Sequence, residues 1–203
     1  MAEWPAGEER LSAETLLRTM KFRRSIRRYT EEKIGRETLE RLVQAGRYAA
    51  TAKNLQDCHF VIVQKELPKL KELVWSHIDG LTAVSEEMDM DPNLLPYAGF
   101  NERRKKDPAD DYLFRNAPAV IYIFSERGWD AGMAAQNMEL MAVAEGLGVL
   151  YNGFLARISD RNEKLKEWFG LGGKPVAACM LAGVPEVTYR RTAPRRAANV
   201  VLL

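Results

Sequence analysis

The chain has 203 residues and a mass of 23.0 kDa, which suits one domain with a substantial core. Its 30 basic and 28 acidic residues nearly balance, so no overall field attracts nucleic acid or an anionic membrane. Residues 1–10 lack the apolar core of a signal peptide, and polar side chains interrupt the longest apolar stretch, 131–147. We therefore expect a cytoplasmic protein without a membrane segment.

The hydrophobic pattern predicts alternating helices and strands. Helices are predicted from Ser12 or Thr15, at 36–50, at 67–74, at 131–147 and at 161–169, the last capped by Asp160 and ended by Gly170. Strands are predicted at 59–64, 119–124 and 176–182, with a strand or turn at 148–154.

Three segments depart from this alternation. Residues 76–116 mix prolines, carboxylates and a basic run, which predicts an irregular insertion with one or two helices, suited to a lid over a pocket. The helix at 131–147 is apolar almost all round, so we expect it to be buried on every side, at a subunit interface. The apolar tail 199–203 has no local hairpin partner, so we expect it to join the sheet of a second subunit.

The chemistry-bearing residues exclude several classes of enzyme. Cys58 and Cys179 lie in apolar contexts that favour reduced thiols, and the two histidines, His59 and His77, form no zinc motif. No Gly-x-Ser-x-Gly elbow is present, and the glycines at 146–148 and 170–173 lack the spacing of nucleotide-binding loops. Arginine clusters without a triad, a metal set or a glycine loop suit a protein that binds a phosphorylated cofactor and leaves the chemistry to it.

The main basic cluster has five basic side chains in residues 21–28. A solvated charged face tolerates such a run. Guanidinium groups also match phosphate oxygens in a bidentate way, and Ser25 adds a hydroxyl donor. The charge pattern alone leaves both interpretations open.

The segment 22–29, Phe-Arg-Arg-Ser-Ile-Arg-Arg-Tyr, resembles the opening motif of the nitroreductase family. Further segments follow in the order of that family: 49–56, the strand 60–63, Asn116-Ala117-Pro118, 130–137, 146–148, 152–154 and 191–196. The resemblance covers nearly the whole chain from about residue 18. One departure is Asp57-Cys58, which follows Gln56 where the family usually has Pro-Trp.

The resemblance implies a single α/β (α+β) domain over 1–203, with 76–116 as its lid-like insertion. The implied fold has three layers, a mixed β-sheet flanked by helices, in an intertwined homodimer. The implied cofactor is FMN, which NAD(P)H would reduce, and the implied acceptor is a nitroaromatic, a quinone or a similar small molecule. No obligatory catalytic residue, no metal, no nucleic acid and no membrane partner is implied.

The same resemblance assigns residues to the flavin. Arg23 and Arg195 would bind its phosphate, Arg24 and Ser25 would line the ribityl and phosphate path, and Arg27 would lie at the pyrimidine end.

Two further segments complete this implied site. Asn152 and Gly153 would direct backbone N–H groups toward the N5 and O4 atoms of the flavin. A loop from the partner subunit would wrap the flavin edge with Thr51, Ala52, Lys53, Asn54 and Gln56.

Several alternatives stay open. Within the same fold the chain could be a reductive dehalogenase, an enoate or dehydropeptide redox enzyme, or a flavin-fragmenting enzyme; outside it, a non-catalytic flavin-binding protein or a nucleic-acid binder. Asn137 in the apolar helix is more simply a core or interface group than a ligand. Tyr97, Phe100 and Tyr112 either stack over a ligand or pack within the lid.

Overall fold

A computed structural model describes residues 11–85 and 91–203. The described helices are α1 (Ala13–Phe22), α2 (Arg36–Arg47), α3 (Leu67–Ser85), α4 (Leu95–Lys106), α5 (Gly128–Ala144), α6 (Gly153–Asp160) and α7 (Glu163–Phe169), with a short 3-10 helix at Ala52–Asn54. The described strands are β1 (His59–Val63), β2 (Ala119–Phe124), β3 (Gly148–Tyr151) and β4 (Val176–Gly183). Within these residues, no helix is long and apolar enough to cross a bilayer.

The strands form one sheet in the order β1-β2-β4-β3, and each neighbouring pair is antiparallel. The parallel contact among the described residues is a single bridge between Ser25 and Val149. The expected layered α/β fold is confirmed, while the mixed character expected of the sheet is limited in this chain to that bridge.

The burial of strand β2 on both faces shows that the sheet is the middle of three layers, with helices on either side. All six of its residues are buried, and their side chains alternate between the two faces of the sheet. Tyr122 and Phe124 join the core cluster that includes α3, α6 and α7, whereas Ile121 and Ile123 join the cluster that includes α2 and α5. The sheet is therefore covered by helices on both faces.

Helix boundaries follow local capping. Of the two predicted caps of α1, Ser12 is the one observed, and it accepts the Thr15 N–H. The predicted Asp160 cap is wrong: Asn162 caps α7 through the Leu165 N–H, while Asp160 accepts the N–H of Val176 at 2.8 Å. Asp160 is the last residue of α6, a helix that the sequence pattern did not predict.

The segment 76–116 is more regular than expected. Helix α3 continues to Ser85, and α4 is fastened to it by Asp79, which accepts hydrogen bonds from Asn101 at 2.8 Å and Arg104 at 3.0 Å. Arg103 pairs with Asp110, so two arginines of the basic run are each paired with a carboxylate of the same chain. Residues 1–10 of the N-terminal segment and residues 86–90 of the predicted insertion lie outside the described residues.

The two segments predicted to meet a second subunit are exposed in the single chain. Helix α5 buries a face of small residues against α2 but leaves Trp129 88% exposed, so its predicted burial on every side does not hold within a single chain. After a bridge between Tyr29 and Pro185 the tail runs on without strand pairing, and Leu202 is 92% exposed.

Gly148 is the first residue of β3 and packs against Ile26 of the arginine segment, 23–29. A Cβ at this position would lie 2.7 Å from the Cβ of Ile26, which real side chains do not tolerate. We expect Gly148→Ala to lower the free energy of unfolding by about 1–3 kcal/mol, measured by chemical denaturation. Gly80→Ala is the matched control, because no atom lies within 4 Å of that Cβ; it should stabilise α3 by up to about 1 kcal/mol. Equal stability of the two variants would contradict this packing.

Buried tyrosines make stability sensitive to alkali. Burial raises the pKa of Tyr122 well above its ordinary 10.0, and burial likewise raises the pKa of Tyr29. The folded protein thus holds these phenol protons more tightly than the unfolded chain does, so the stabilisation is complete below pH 10.0 and is lost as pH rises above it. The melting temperature should fall from about pH 10 upward, and Tyr122→Phe should make that fall shallower. The same slope in both proteins would contradict the assignment.

Candidate functional site

A cavity of about 370 Å³ lies where four stretches of the chain meet. Its lining comes from segment 23–29, the α4 region with the turn at 111–116, the end of β3 and the start of α6. The lining residues are Arg27, Phe100, Tyr112, Leu113, Arg115, Leu150, Tyr151, Asn152, Gly153, Phe154 and Arg157. Three residues predicted from the sequence, Arg27, Asn152 and Gly153, thus meet here.

Asn152 builds the start of α6. Its Oδ1 accepts the Leu155 N–H at 2.9 Å, its Nδ2 donates to Leu113 O at 2.7 Å, and its backbone N–H donates to Cys179 O at 2.8 Å. The N–H predicted to face a ligand is therefore already bonded beside the sheet. The backbone N–H groups that remain available to a ligand are those of the next two residues, Gly153 and Phe154.

Gly153 and Phe154 lie in the first turn of α6, where backbone N–H groups have no acceptor inside the helix. The helix dipole adds partial positive charge at this end. A Cβ at Gly153 would meet no protein atom within 4 Å, so the space before this peptide is open. The start of α6 can bind an electron-rich edge of a planar ligand.

Segment 23–29 is extended, and its side chains face different surroundings. Ile26 and Tyr29 are buried, and Ile26 N–H donates to Val149 O at 3.0 Å, which fixes the segment against β3. Arg27 is exposed toward the cavity, with its Nη1 3.4 Å from Ser25 O. Arg28 instead pairs with Glu186 at 2.9 Å. The five basic residues are therefore not one continuous charged face.

Arg23 is held in an ion pair with α5. Its Nη1 lies 3.0 Å from Glu139 Oε1, and the Glu139 side chain is only 2% exposed. A buried carboxylate needs a charged partner, so this contact anchors the end of α1. To bind a phosphate as predicted, Arg23 would have to share its guanidinium between that phosphate and Glu139.

Arg24 meets the C-terminal segment. Its Nη1 donates to Arg191 O at 2.9 Å, and its guanidinium lies 4.3 Å from the centre of the Tyr189 ring. The described contacts thus bring the two predicted basic segments together at Arg24 and Arg191. Arg195 is exposed, and its Nη1 donates to the carbonyl oxygen of its neighbour Pro194 at 3.1 Å.

The loop at 51–56 is strained and exposed. Lys53, Asn54 and Gln56 have φ values of 52°, 53° and 51°, which non-glycine residues rarely adopt. Thr51 holds the loop, since its Oγ1 accepts the Gln56 N–H and its carbonyl accepts the Asn54 N–H. Ala52 is exposed like its neighbours.

This loop belongs to a second cavity of about 450 Å³, where Thr51 and Gln56 lie with Cys58. That cavity shares no lining residue with the Arg27 cavity. Asp57, in the place of the family's usual Pro, accepts a hydrogen bond from the Ser125 hydroxyl at 3.0 Å. Burial raises the pKa of the neighbouring Cys58 thiol.

Two arginines that line the cavity, Arg115 and Arg157, were not predicted from the sequence. Arg115 lies in a turn where it and Asn116 have φ values of 55° and 52°. Arg157 lies one helical turn after Gly153 in α6. The sequence carries no distinct signal for either position, because the turn geometry and the short helix are set by tertiary contacts.

The aromatic residues divide between the two predicted roles. Tyr97 is 1% exposed and packs in the core, with its hydroxyl donating to Phe154 O at 2.9 Å. Phe100 and Tyr112 stack with ring centres 5.0 Å apart and both line the cavity. Asn137 donates to Ala45 O at 3.2 Å, which confirms its structural role.

Arginine side chains and aromatic rings line the cavity at the start of α6. This lining suits a planar anionic group. The model of the Nitroreductase family matches residues 20–183. The chain belongs to the Nitroreductase family.

Individual relatives are distant. A protein of Methanothermobacter thermautotrophicus named NADH dehydrogenase/NAD(P)H nitroreductase is 22% identical over 171 residues, which cover 80% of this chain and 72% of the relative. A Bacteroides fragilis nitroreductase solved with bound FMN has a TM-score of 0.73 and 22% identity, over 93% of this chain and 98% of its own. A Desulfitobacterium hafniense nitroreductase, also with bound FMN, has a TM-score of 0.68 and 20% identity, over 92% and 98%. At these identities the solved structures establish a shared fold.

Proposed function

We propose that this protein is an FMN-dependent oxidoreductase that takes a hydride from NADH or NADPH and passes it to a nitroaromatic, a quinone or a similar acceptor. The observation that carries the proposal is the cavity that joins Arg27 to the open backbone of Gly153 at the start of α6. A cation and free N–H groups favour the negative charge that a flavin ring gains when it is reduced.

The residues present fit this cofactor. When bound, FMN supplies the redox chemistry by accepting and releasing the hydride. Arg27 would hold the pyrimidine end, and the N–H groups of Gly153 and Phe154 would hold the adjoining polar edge. Bare backbone at Gly153 leaves room for this close approach.

We place the phosphate of FMN between the arginine segment, 23–29, and the C-terminal segment. Arg24 contacts the C-terminal segment, Ser25 follows Arg24 and bridges to Val149, and Arg23 and Arg195 are the further candidates. Since Arg23 already pairs with Glu139, we place the larger phosphate contribution on Arg24.

No protein acid or base is assigned to the reaction. Neither His59 nor His77 lines the Arg27 cavity, and solvent can supply the protons that follow a hydride. The chain's own contribution is therefore binding, orientation and charge stabilisation.

The functional unit we propose is a cytoplasmic homodimer of single-domain chains, with 76–116 as the lid. Helix α1 buries none of its residues in one protomer and exposes large apolar side chains, as do the start of α5 and the tail: Leu16, Leu17, Met20, Phe22, Trp129 and Val200–Leu203. In the dimer, the loop from Thr51 to Gln56 of one protomer would cover the flavin of the other.

The test is anaerobic reduction of the protein loaded with FMN. NADH or NADPH should bleach the oxidised-flavin absorbance at about 450 nm, and a nitroaromatic or quinone should restore it. A bound flavin that neither donor bleaches would overturn the assignment as an NAD(P)H-dependent enzyme and favour a non-catalytic flavin-binding protein.

A further inference from the structure

The Arg27 cavity has an unbalanced positive charge. Three arginines line it, and none of its lining residues is acidic. Among the described residues, Arg115 and Arg157 form no ion pair, whereas Arg103 and Arg104 nearby are each paired with a carboxylate. The proposed cofactor role uses Arg27, which leaves two cations without an assigned function.

Arg115 is fixed by a strained turn. The Asp111 carboxylate accepts the N–H groups of Phe114 at 3.2 Å and Asn116 at 3.3 Å, and it is neutralised by Lys71. These bonds hold Arg115 at a φ of 55°. Its guanidinium consequently lies 3.6 Å from the centre of the Tyr112 ring, at the wall of the cavity.

Arg157 reaches the same cavity from α6. It lies four residues after Gly153, so both occupy one face of the helix. Arg161, the residue that follows the end of α6, lines a different cavity between α3 and the start of α7. The position of Arg157 in the helix therefore directs it toward the ligand-binding space.

An aromatic wall adjoins the two arginines. Phe100 stacks on Tyr112 and meets the edge of Phe154 at a ring-centre distance of 5.2 Å. Such a wall favours a planar aromatic ligand over an aliphatic one. Guanidinium groups above and beside it favour a ligand that is also anionic.

We propose that Arg115 and Arg157 select an electron acceptor that carries a carboxylate or similar anionic group on an aromatic ring. This inference rests on the proposed function and names the substrate class of the same site. A carboxylate would form charge-assisted hydrogen bonds with the two guanidiniums, and a cationic acceptor would be repelled by them.

The experiment compares acceptors that differ in charge and little in shape. 4-Nitrobenzoate and 4-nitrobenzamide are tested as acceptors for the FMN-loaded protein, with NADH or NADPH as the electron donor. The unreactive pair benzoate and benzamide is titrated calorimetrically. We expect KM for the nitrobenzoate to be about tenfold lower than for the amide, and benzoate to bind about tenfold more tightly. Arg115→Gln and Arg157→Gln should each reduce both preferences, and Arg157→Glu should reverse them.

Arg161→Gln is the matched control and should keep both preferences, since Arg161 lies outside the cavity. Equal KM values and equal binding in the wild-type protein overturn the proposal, as do preferences that survive both glutamine variants. If a variant binds FMN more weakly but keeps the wild-type ratio of the two KM values, its arginine acts on the cofactor, and this result also overturns the proposal. Because the calorimetry needs no turnover, it separates this failure from a failure of the proposed function.

Discussion

Alanine at both Arg24 and Arg27 is expected to give a colourless protein, with FMN affinity lowered by about 10²–10⁴-fold. Arg27 lines the cavity, and Arg24 lies where the arginine segment meets the C-terminal segment. Each would form a charge-assisted hydrogen bond, worth about 1.5–3 kcal/mol, at a different end of the cofactor. The measurement is flavin bound per chain, from the absorbance of purified protein and from fluorescence titration.

Arg28→Ala is the control for this prediction. Arg28 belongs to the same segment, but its guanidinium pairs with Glu186 outside the cavity. This variant should bind FMN as the wild type does. Full flavin occupancy in the Arg24 and Arg27 double variant would contradict the site, and an equal loss in Arg28→Ala would show that only general basic charge matters.

Arg23→Ala is expected to destabilise the protein by about 3–5 kcal/mol. The change leaves the carboxylate of Glu139, which is 2% exposed, without its charged partner. The Gln136 amide, which donates to Glu139 at 3.3 Å, is neutral and does not balance the charge. Chemical denaturation of the flavin-free protein measures the loss.

A double replacement separates the anchoring role of Arg23 from phosphate binding. Arg23→Met combined with Glu139→Met removes both charges at similar volume, so most of the lost stability should return. FMN affinity in this double variant then reports any contribution of Arg23 to the phosphate. Unchanged stability in Arg23→Ala together with a large loss of FMN would show that Arg23 is a ligand and that the ion pair is not an anchor.

The sheet was predictable because its strands are short apolar runs in a plain pattern. The interval 119–124 was predicted with the bounds of β2, since all six residues are apolar and buried. Helix α6 was not predicted, because its eight residues follow β3 directly and are too few for a clear helical period. Missing α6 also led to the wrong cap at Asp160.

The site was predictable in part, and mainly through the family resemblance. Arg27 and Gly153 were named from motifs, and the structure brings both to one cavity. The ion pair of Arg23 could not be foreseen, because Glu139 is 116 residues away in the sequence. Arg115 and Arg157 were missed because their direction depends on a strained turn and on a helix that the pattern did not reveal.

The most direct test of FMN dependence is to titrate flavin-free protein with FMN and, in parallel, with riboflavin, which has the same ring and no phosphate. The fluorescence of FMN should be quenched on binding and should saturate at one molecule per chain. Riboflavin should bind at least about tenfold more weakly, because it lacks the contacts with the arginine segment. Absence of saturable FMN binding, or equal affinity for riboflavin, would contradict the account.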